Sequence, residues 1–404
     1  MPQNILTINA GSSSLKCAVF EAQDRRVMST DAMWTAQIDF KPGGNPKLTI
    51  QRSGGAKQNR DVHSGNRLEA AKSLFEAMVA GDDAPMKNSS EVAIVGHRVV
   101  HGGAKYTAST VITDMVLTDL RACIELAPLH EPANIEGIEQ AMSTFRKAKH
   151  IAVFDTAFHR TMAESARVVA GPYQWYQELK IERFGFHGIS HQYCAARAAQ
   201  LVEQGRSASR IITCHIGNGA SLCAVKDGKS IMTTMGFTPL DGLVMGTRSG
   251  SIDPGILVYL LQHGHCTVGD LDDVLNHHSG LKGISGISSD MRDIEQSLRA
   301  GDSRAQLAFD IYVDRLAANI ASLVPALGGL DLLVFAGGVG ENSVQVRSAT
   351  CKRLGFLGVL LDTDKNESCT SDGDISAADA QVVAMVIHTK EDLQIANECI
   401  QFLY

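Results

Sequence analysis

Two stretches of this chain repeat one another and limit what it can fold into. Ile5–Val19 reads ILTINAGSSSLKCAV, and Ile211–Val225 reads IITCHIGNGASLCAV. Aligned without a gap, they share Ile5/Ile211, Thr7/Thr213, Gly11/Gly217, Cys17/Cys223, Ala18/Ala224 and Val19/Val225. Average residue usage gives roughly one identity in such a window. Both copies run apolar, then through a small polar glycine turn, then apolar again, which is the pattern of a β-hairpin. A turn rich in backbone N–H groups and small hydroxyls suits phosphate oxygens. Two such hairpins facing each other would form a nucleotide cleft.

The surrounding pattern repeats as well. After the first hairpin, Lys41–Asn66 is rich in Gly and Asn and reads as further antiparallel strands with long loops. Arg67–Ala80 has helical apolar spacing (Leu68, Ala71, Leu74, Phe75, Met78) and stops at Gly81. Val92–Val95 and Ile151–Phe154 read as short buried strands, with a helix over Pro132–Phe145 between them. In the second half, Ser303–Ala326 carries an apolar stripe through Phe309, Val313, Leu316, Ile320, Leu323 and Leu327. Asp331–Phe335 reads as a buried strand, Asp362–Ala378 as an exposed acidic loop, and the end of the chain as a strand (Val382–Ile387) and a helix. Strands followed by alternating α and β, twice over, predict an α/β fold. The expected unit is a duplicated βββαβαβα, ribonuclease H-like and actin-like, with a central nucleotide cleft. The expected division is 1–156 plus 385–404 for one domain and 157–384 for the other.

Composition excludes several functions. A formal charge of −7 over 404 residues, without a Lys/Arg block, gives no electrostatic footing for nucleic acid. No apolar run approaches the ~18 residues of a membrane span. A strand begins almost at once, so no secretory signal is expected. Nine cysteines without C-x-x-C spacing read as buried free thiols of a reducing compartment.

Several polar clusters interrupt this scaffold. Asn9-Ala10-Gly11-Ser12-Ser13-Ser14-Leu15-Lys16 offers hydroxyls, an amide and a cation for phosphate and metal. His215-Ile216-Gly217-Asn218-Gly219 could grip phosphate in the second hairpin, and Gly337–Asn342 follows a buried strand closely enough for backbone to meet a nucleotide. Arg248 is embedded in the glycine loop Gly246–Gly255, where a planar guanidinium suits a phosphate or carboxylate. Arg98 and Asp155 each stand at a strand end, where α/β proteins place reactive groups. His130 and His187 lack zinc spacing, and on residues alone each is as consistent with a structural role. The alternative readings are a Ser-rich turn for 9–16, a tight strand–helix turn for 337–342, and a helix N-cap for Asp155.

These motifs resemble the acetate kinase family along essentially the whole chain. The matching stretches are NAGSSSLK (9–16), GHRVVHGG (96–103), PLHEP (128–132), FDTAFH (154–159), GFHGISH (185–191), HIGNGASL (215–222), MGFTPLDGLVMGTRSGSIDPG (235–255), SGLKGISGISSDMRDI (279–294), AGGVGENS (336–343) and IHTKEDL (387–393). The resemblance implies a cytoplasmic homodimer that moves the γ-phosphoryl of ATP to acetate with Mg²⁺, or Mn²⁺. It implies that Arg98 and Arg248 bind the carboxylate and the moving phosphoryl. His187 would stabilise that group with His130 nearby, and Asp155 would position the reactants. Asn9 and Glu391 would hold the metal, while Ser12, Ser14 and Lys16 would border the phosphates. Nucleotide contacts would fall on His215, Ile216, Gly217, Asn218, Gly219, Asp290, Met291, Arg292, Gly338, Val339, Gly340, Glu341 and Asn342. Val100, Leu129, Phe186 and Pro239 would enclose the methyl group. Glu131 stands where the family usually has Asn, so the electrostatics around His130 should differ, and His388 stands where it usually has Pro, a minor change near the expected metal ligand.

A carboxylate acceptor is already ionised at neutral pH, so the demand is charge screening rather than a base. That favours two Arg, two His and a divalent cation around a direct in-line transfer. Propionate or butyrate preference is the near alternative. A non-metabolic ATPase of the same superfold is the distant one.

Overall fold

The computed structural model describes residues 2–11, 14–40, 46–62, 67–80, 84–128, 130–202 and 207–403. The chain divides into two compact units, Met1–Phe158 with Lys390–Tyr404, and His159–Thr389.

In the first unit the strands are β1 (Gln3–Ala10), β2 (Ser14–Gln23), β3 (Arg26–Val27), β4 (Trp34–Asp39), β5 (Lys47–Arg52), β6 (Gln58–Asp61), β7 (Val92–Val99), β8 (Thr110–Val111) and β9 (Lys149–Phe154). They form one sheet in the order β6-β5-β4-β2-β1-β7-β9-β8, with β3 paired to β2. β1, β7 and β9 run parallel, whereas β2, β4, β5 and β6 follow antiparallel from β1. Alternation assigns the faces. Leu6, Ile8 and Val95 pack with Leu74 and Phe75 of the helix Arg67–Ala77 and with Ala141 and Phe145 beside the helix Glu131–Thr144. Gly96, next along β7, points the other way, toward Ile395 and Cys399 of the helix Glu391–Ile400. The C-terminal helix therefore covers the opposite face of this sheet.

The second unit's strands are β10 (Arg210–Ile216), β11 (Ala220–Lys226), β12 (Lys229–Thr233), β13 (Leu332–Ala336), β14 (Gly373–Asp374) and β15 (Val383–Val386), in the order β12-β11-β10-β13-β15-β14. β10, β13 and β15 are parallel, and β10–β11–β12 is an antiparallel meander. Thr213 and His215 meet the helix Gly188–Leu201, while Cys214 between them lies beside Tyr312 of the helix Ser303–Leu327. The sheet is therefore sandwiched between helices. The long helix turns its whole expected stripe, Phe309 through Leu327, into the core.

Both sheets contain the same five strands in the same order, β4-β2-β1-β7-β9 and β12-β11-β10-β13-β15. Each is extended by a short antiparallel edge strand, β8 or β14. This is the duplicated βββαβαβα, actin-like ATPase architecture. The echo is not gapless in space, however. Ala10 pairs with Leu15, but Ile216 pairs with Ala220, so the first turn holds one more residue than the second. Identities in the second strand of each hairpin, such as Cys17/Cys223, therefore lie one rung out of step.

Two other expectations change. Asp362–Ala378 is not an exposed loop: it contains the helix Thr363–Ser368 and β14, and buries Asn366, Ile375 and Ser376. Its polar residues have internal partners. Asp362 Oδ1 accepts from Lys365 N at 3.0 Å, and Asn366 Oδ1 accepts from the buried Arg347 Nε at 2.6 Å. β15, expected to be split at 384/385, belongs wholly to the second sheet, and the crossover falls at Lys390. All nine cysteines are free thiols, six of them buried. No helix among the described residues is long and apolar enough to cross a membrane.

Candidate active site

In the first unit, charged side chains gather at the carboxyl ends of three adjacent parallel strands. Asn9 closes on the end of β1, Arg98 is the penultimate residue of β7, and Asp155 follows β9. Arg98 donates to Asp155 Oδ2 from Nη2 at 2.6 Å and Nε at 3.1 Å, and from Nη1 to Asn9 Oδ1 at 3.2 Å. Asn9 Nδ2 reaches Glu391 Oε2 at 3.5 Å. Burial works against the Arg98 charge, but Asp155 and Glu391 outweigh it and hold the guanidinium above its ordinary value. Burial pushes the Asp155 carboxyl upward against the pull of Arg98. Asp392 is pushed up to about 6, by burial and then by Glu391.

This cluster tests the expected metal. Asp155 Oδ1 and Asp392 Oδ1 are buried without hydrogen-bond partners. Three carboxyls, of Asp155, Glu391 and Asp392, act on the single Arg98 guanidinium. The donor set is oxygen only, which suits a hard cation. Among the described residues no group of three or more His, Cys, Asp or Glu could hold a metal by itself. Mg²⁺ usually takes one or two carboxylates and completes its shell with water and substrate phosphates, so Asn9 and Glu391 fit that mode.

The donors of the second unit converge on a glycine. His187 has a left-handed backbone (φ +56°) and opens the helix Gly188–Leu201, a conformation non-glycine residues rarely hold. Its Nδ1 lies 2.8 Å from Ser221 Oγ, and its ring stacks on His215 with centroids 4.3 Å apart. Arg248 Nη1 donates to the Pro239 carbonyl at 2.8 Å, and burial lowers its pKa. A Cβ built on Gly219 would lie 3.5 Å from His187 Nε2 and 3.7 Å from Arg248 Nη1. Glycine therefore leaves open a space that the His187 imidazole and the Arg248 guanidinium border.

Asn218, next to that glycine, lines a cavity of about 700 Å³, large enough for a nucleotide. Gly217, Asp290, Met291, Arg292, Gly338, Val339 and Asn342 line it too. The loops approach so closely that a Cβ on Gly246 would lie 2.1 Å from Asn218 Oδ1 and 2.9 Å from the Ser289 carbonyl. Asp290 caps the helix Met291–Arg299 by accepting from Arg292 N at 2.9 Å, and pairs with the exposed Arg292 side chain at 2.5 Å.

Not every residue expected from the second unit lines this cavity, and the first-unit residues are placed within their own unit. Ile216 is fully buried in β10. Glu341 turns inward, its Oε1 accepting from the N–H groups of Gly337 and Thr389, both at 3.0 Å. Gly340 is buried, and His215 is held by Ser190 Oγ at 2.7 Å. Lys16 is exposed on β2 opposite Asn9, and Ser14 closes the first hairpin turn by accepting from Gly11 N at 2.9 Å. His130 stands at the N-cap of the helix Glu131–Thr144. Val100 and Phe186 are buried, and Pro239 lends its carbonyl to Arg248. Ser12 and Leu129 lie outside the described residues. Sequence reasoning missed Leu281, Ser289, Glu295 and Ser343 of the cavity wall, and the supports Ser190, His191 and Ser221. The last three lie within GFHGISH and HIGNGASL, but nothing in their types marked them apart.

A duplicated ATPase fold with a nucleotide-sized cavity, and with His187 and Arg248 around the neighbouring Gly219, is the arrangement of a phosphotransferase. The family model described as the Acetokinase family matches residues 4–397. Acetate kinase of Nostoc punctiforme is 47% identical over 99% of both chains, and that of Gloeobacter violaceus is 46% identical over 99% of both. Among solved structures, Porphyromonas gingivalis acetate kinase superposes with a TM-score of 0.89 at 35% identity over the full length of both chains. A propionate kinase from Francisella tularensis gives 0.88 at 38% identity over 98% of both. The chain belongs to the acetokinase family and is a kinase of that family.

Proposed function

We propose that this kinase reversibly transfers the γ-phosphoryl group of ATP to acetate, giving acetyl phosphate and ADP. The observation that carries this reading is the space above Gly219, bordered by His187 and Arg248 beside the nucleotide cavity. An acetate oxygen forms the new O–P bond as the bond from γ-phosphorus to the β–γ bridging oxygen breaks, and ADP leaves with that electron pair. No proton moves, because the acceptor is already ionised. Arg248 and His187 bind the equatorial oxygens, where charge builds up in transfer. Arg98, fixed by Asp155, binds the acetate carboxylate, and His130 lies with it. Asn9 and Glu391 would hold Mg²⁺, or Mn²⁺, which would supply charge screening for the phosphates. Val100, Leu129, Phe186 and Pro239 enclose the methyl group. The cavity lined by Asn218, Asp290 and Gly338 takes the nucleotide, and Ser12, Ser14 and Lys16 border its phosphates.

Hydroxylamine trapping of acyl phosphate tests this, with acetate, propionate and butyrate compared. Acetate should give the highest kcat/KM, and the divalent requirement should appear on titration with EDTA. A faster rate with propionate would assign the acyl specificity of the Francisella relative instead. ATP hydrolysis without acyl phosphate would overturn the reading.

We further propose a homodimer working in the cytoplasm. The helix Pro254–Gln262 (PGILVYLLQ) buries none of its residues, and Ile256, Val258, Tyr259 and Leu261 are each more than a third exposed. An apolar helix left so bare is the kind of surface a second copy would cover.

A further inference from the structure

Behind His187 lies a chain of buried hydrogen bonds. His187 Nδ1 is 2.8 Å from Ser221 Oγ, and the same oxygen is 2.8 Å from His191 Nε2. His191 Nδ1 is 2.7 Å from Thr213 Oγ1, which donates to the Cys223 carbonyl at 3.5 Å. Ser221, His191 and Thr213 are all buried, on β11, the helix Gly188–Leu201 and β10. His191 lies one helical turn after His187, so its ring sits under the same face.

The far end of the chain gives the direction we adopt: a carbonyl oxygen only accepts, and with the Thr213 proton turned to Cys223, Thr213 Oγ1 accepts from His191 Nδ1–H. His191 is neutral: burial, then His159 and His215, hold it well below the ordinary histidine value. A neutral ring protonated at Nδ1 accepts at Nε2, so it takes the Ser221 proton. Ser221 Oγ is then left to accept, and His187 Nδ1 must carry the hydrogen. The nitrogen on the Gly219 and Arg248 side is Nε2. Among the described residues, the titratable or charged groups around the pair include His215, stacked on His187, Arg248, and, beyond His191, His159 and Cys223. His159 is itself fixed, with Nε2–H on the Phe186 carbonyl at 3.0 Å and Nδ1 at 2.8 Å from Ser230 Oγ.

We propose that Ser221, His191 and Thr213 are positioning residues that lock His187 as the Nδ1–H tautomer. His187 can then donate a hydrogen bond from Nε2 to the transferring phosphoryl only as the imidazolium. The lock makes the histidine a switchable cation rather than a neutral donor. It holds the ring plane and turns Nε2 to the reacting group in either charge state. This rests on the role proposed for His187 above.

The test is ¹⁵N NMR of the full chain with labelled histidine, recorded above the His187 titration. The expected spectrum shows Nδ1 protonated and Nε2 bare; a neutral His187 carrying its proton on Nε2 overturns the lock. Ser221→Ala should release the tautomer toward Nε2–H and lower kcat about 10–100-fold, the range seen for outer-shell partners of functional histidines. The KM for ATP should stay within about twofold. Thr213→Val should loosen the tautomer in the same direction without touching His187. Unchanged tautomer and kcat in Ser221→Ala would also overturn the lock. The two readings separate cleanly: full activity in His187→Ala would remove the catalytic role and leave the tautomer result standing.

Discussion

Glu131 offers the sharpest test of what burial of a carboxyl does to this protein. It is fully buried at the start of the helix Glu131–Thr144, and neither carboxyl oxygen has a hydrogen bond of good geometry. Burial raises its pKa from 4.5 to about 8, the Asp155 charge adds to the rise, and the facing backbone N–H of His101 opposes it. The folded protein therefore keeps this proton up to about 8, while the unfolded chain releases it near 4.5. Between those values the native state binds more protons, so stability falls as pH rises and is level outside the window. Each pH unit costs about 1.4 kcal/mol. At pH 7 that sums to roughly 3 kcal/mol, and about 2 once water and side chains relax around the charge. Glu131→Gln keeps the shape and removes the titration. The variant should gain about 2 kcal/mol over wild type between pH 5 and pH 7, read from urea midpoints at each pH. In thermal melts that is about 4–8 °C for a unit of 150–250 residues. A stability difference that stays constant from pH 5 to pH 8 would refute the argument, because desolvation of the carboxylate would not then be the cost.

The remaining expectations concern the site and the bare helix. Arg98→Ala should mainly raise the KM for acetate and Arg248→Ala should mainly lower kcat; wild-type kinetics in both would sink the assignment. Gly219→Ala places a methyl 3.5 Å from His187 Nε2, an ordinary packing distance. It should leave the melting temperature unchanged and cut kcat at least tenfold, as loss of one oxyanion donor does; unaltered turnover would empty that space of its role. Gly246→Ala, whose Cβ meets Asn218 Oδ1 at 2.1 Å, should raise the KM for ATP more than that for acetate. Val258→Glu with Leu261→Glu should give a monomer in sedimentation velocity, and a species of unchanged mass would remove the helix from the interface.

The fold was legible where apolar period and turn chemistry agreed. The stripe from Phe309 to Leu327 needed only helical spacing, and the hairpins only alternation around glycine. The segment 362–378 was misread because its acidic and amide groups look solvated in sequence. In the fold Asn366 satisfies the buried Arg347, a tertiary contact that no local pattern contains. The register of the second hairpin was hidden for a similar reason. A turn one residue shorter shifts the pairing without altering the residue types. At the site, motif residues with unusual chemistry, such as Arg98, Asp155 and His187, stood out. Ser221 and Thr213 did not, since a buried hydroxyl in a strand is usually silent and matters here only through what it touches.

The repeated topology offers the same strand ends in both units, and the two units fill them differently. In each, three parallel strands end together at one edge, and ligands gather at the carboxyl ends of such strands. The first unit fills those ends with side chains: Asn9 on β1, Arg98 on β7 and Asp155 after β9. The second leaves them to backbone: Gly217 after β10 and Gly337-Gly338 after β13. Only glycine lets peptide N–H groups approach a polyphosphate closely, and they do so without a counter-charge that must be desolvated. On the proposed assignment, a small anion such as acetate offers too little surface for that and would need a formal charge, which must itself be held, as Asp155 holds Arg98. Exchanging the two solutions should fail in different ways. Gly217→Arg would block the cavity with its side chain, so ATP binding measured by calorimetry should be lost. Arg98→Gly would open the first unit's cluster and leave Asp155 buried without its cation. Its signature should be a pH-dependent loss of stability, and unaltered ATP binding would separate the two effects.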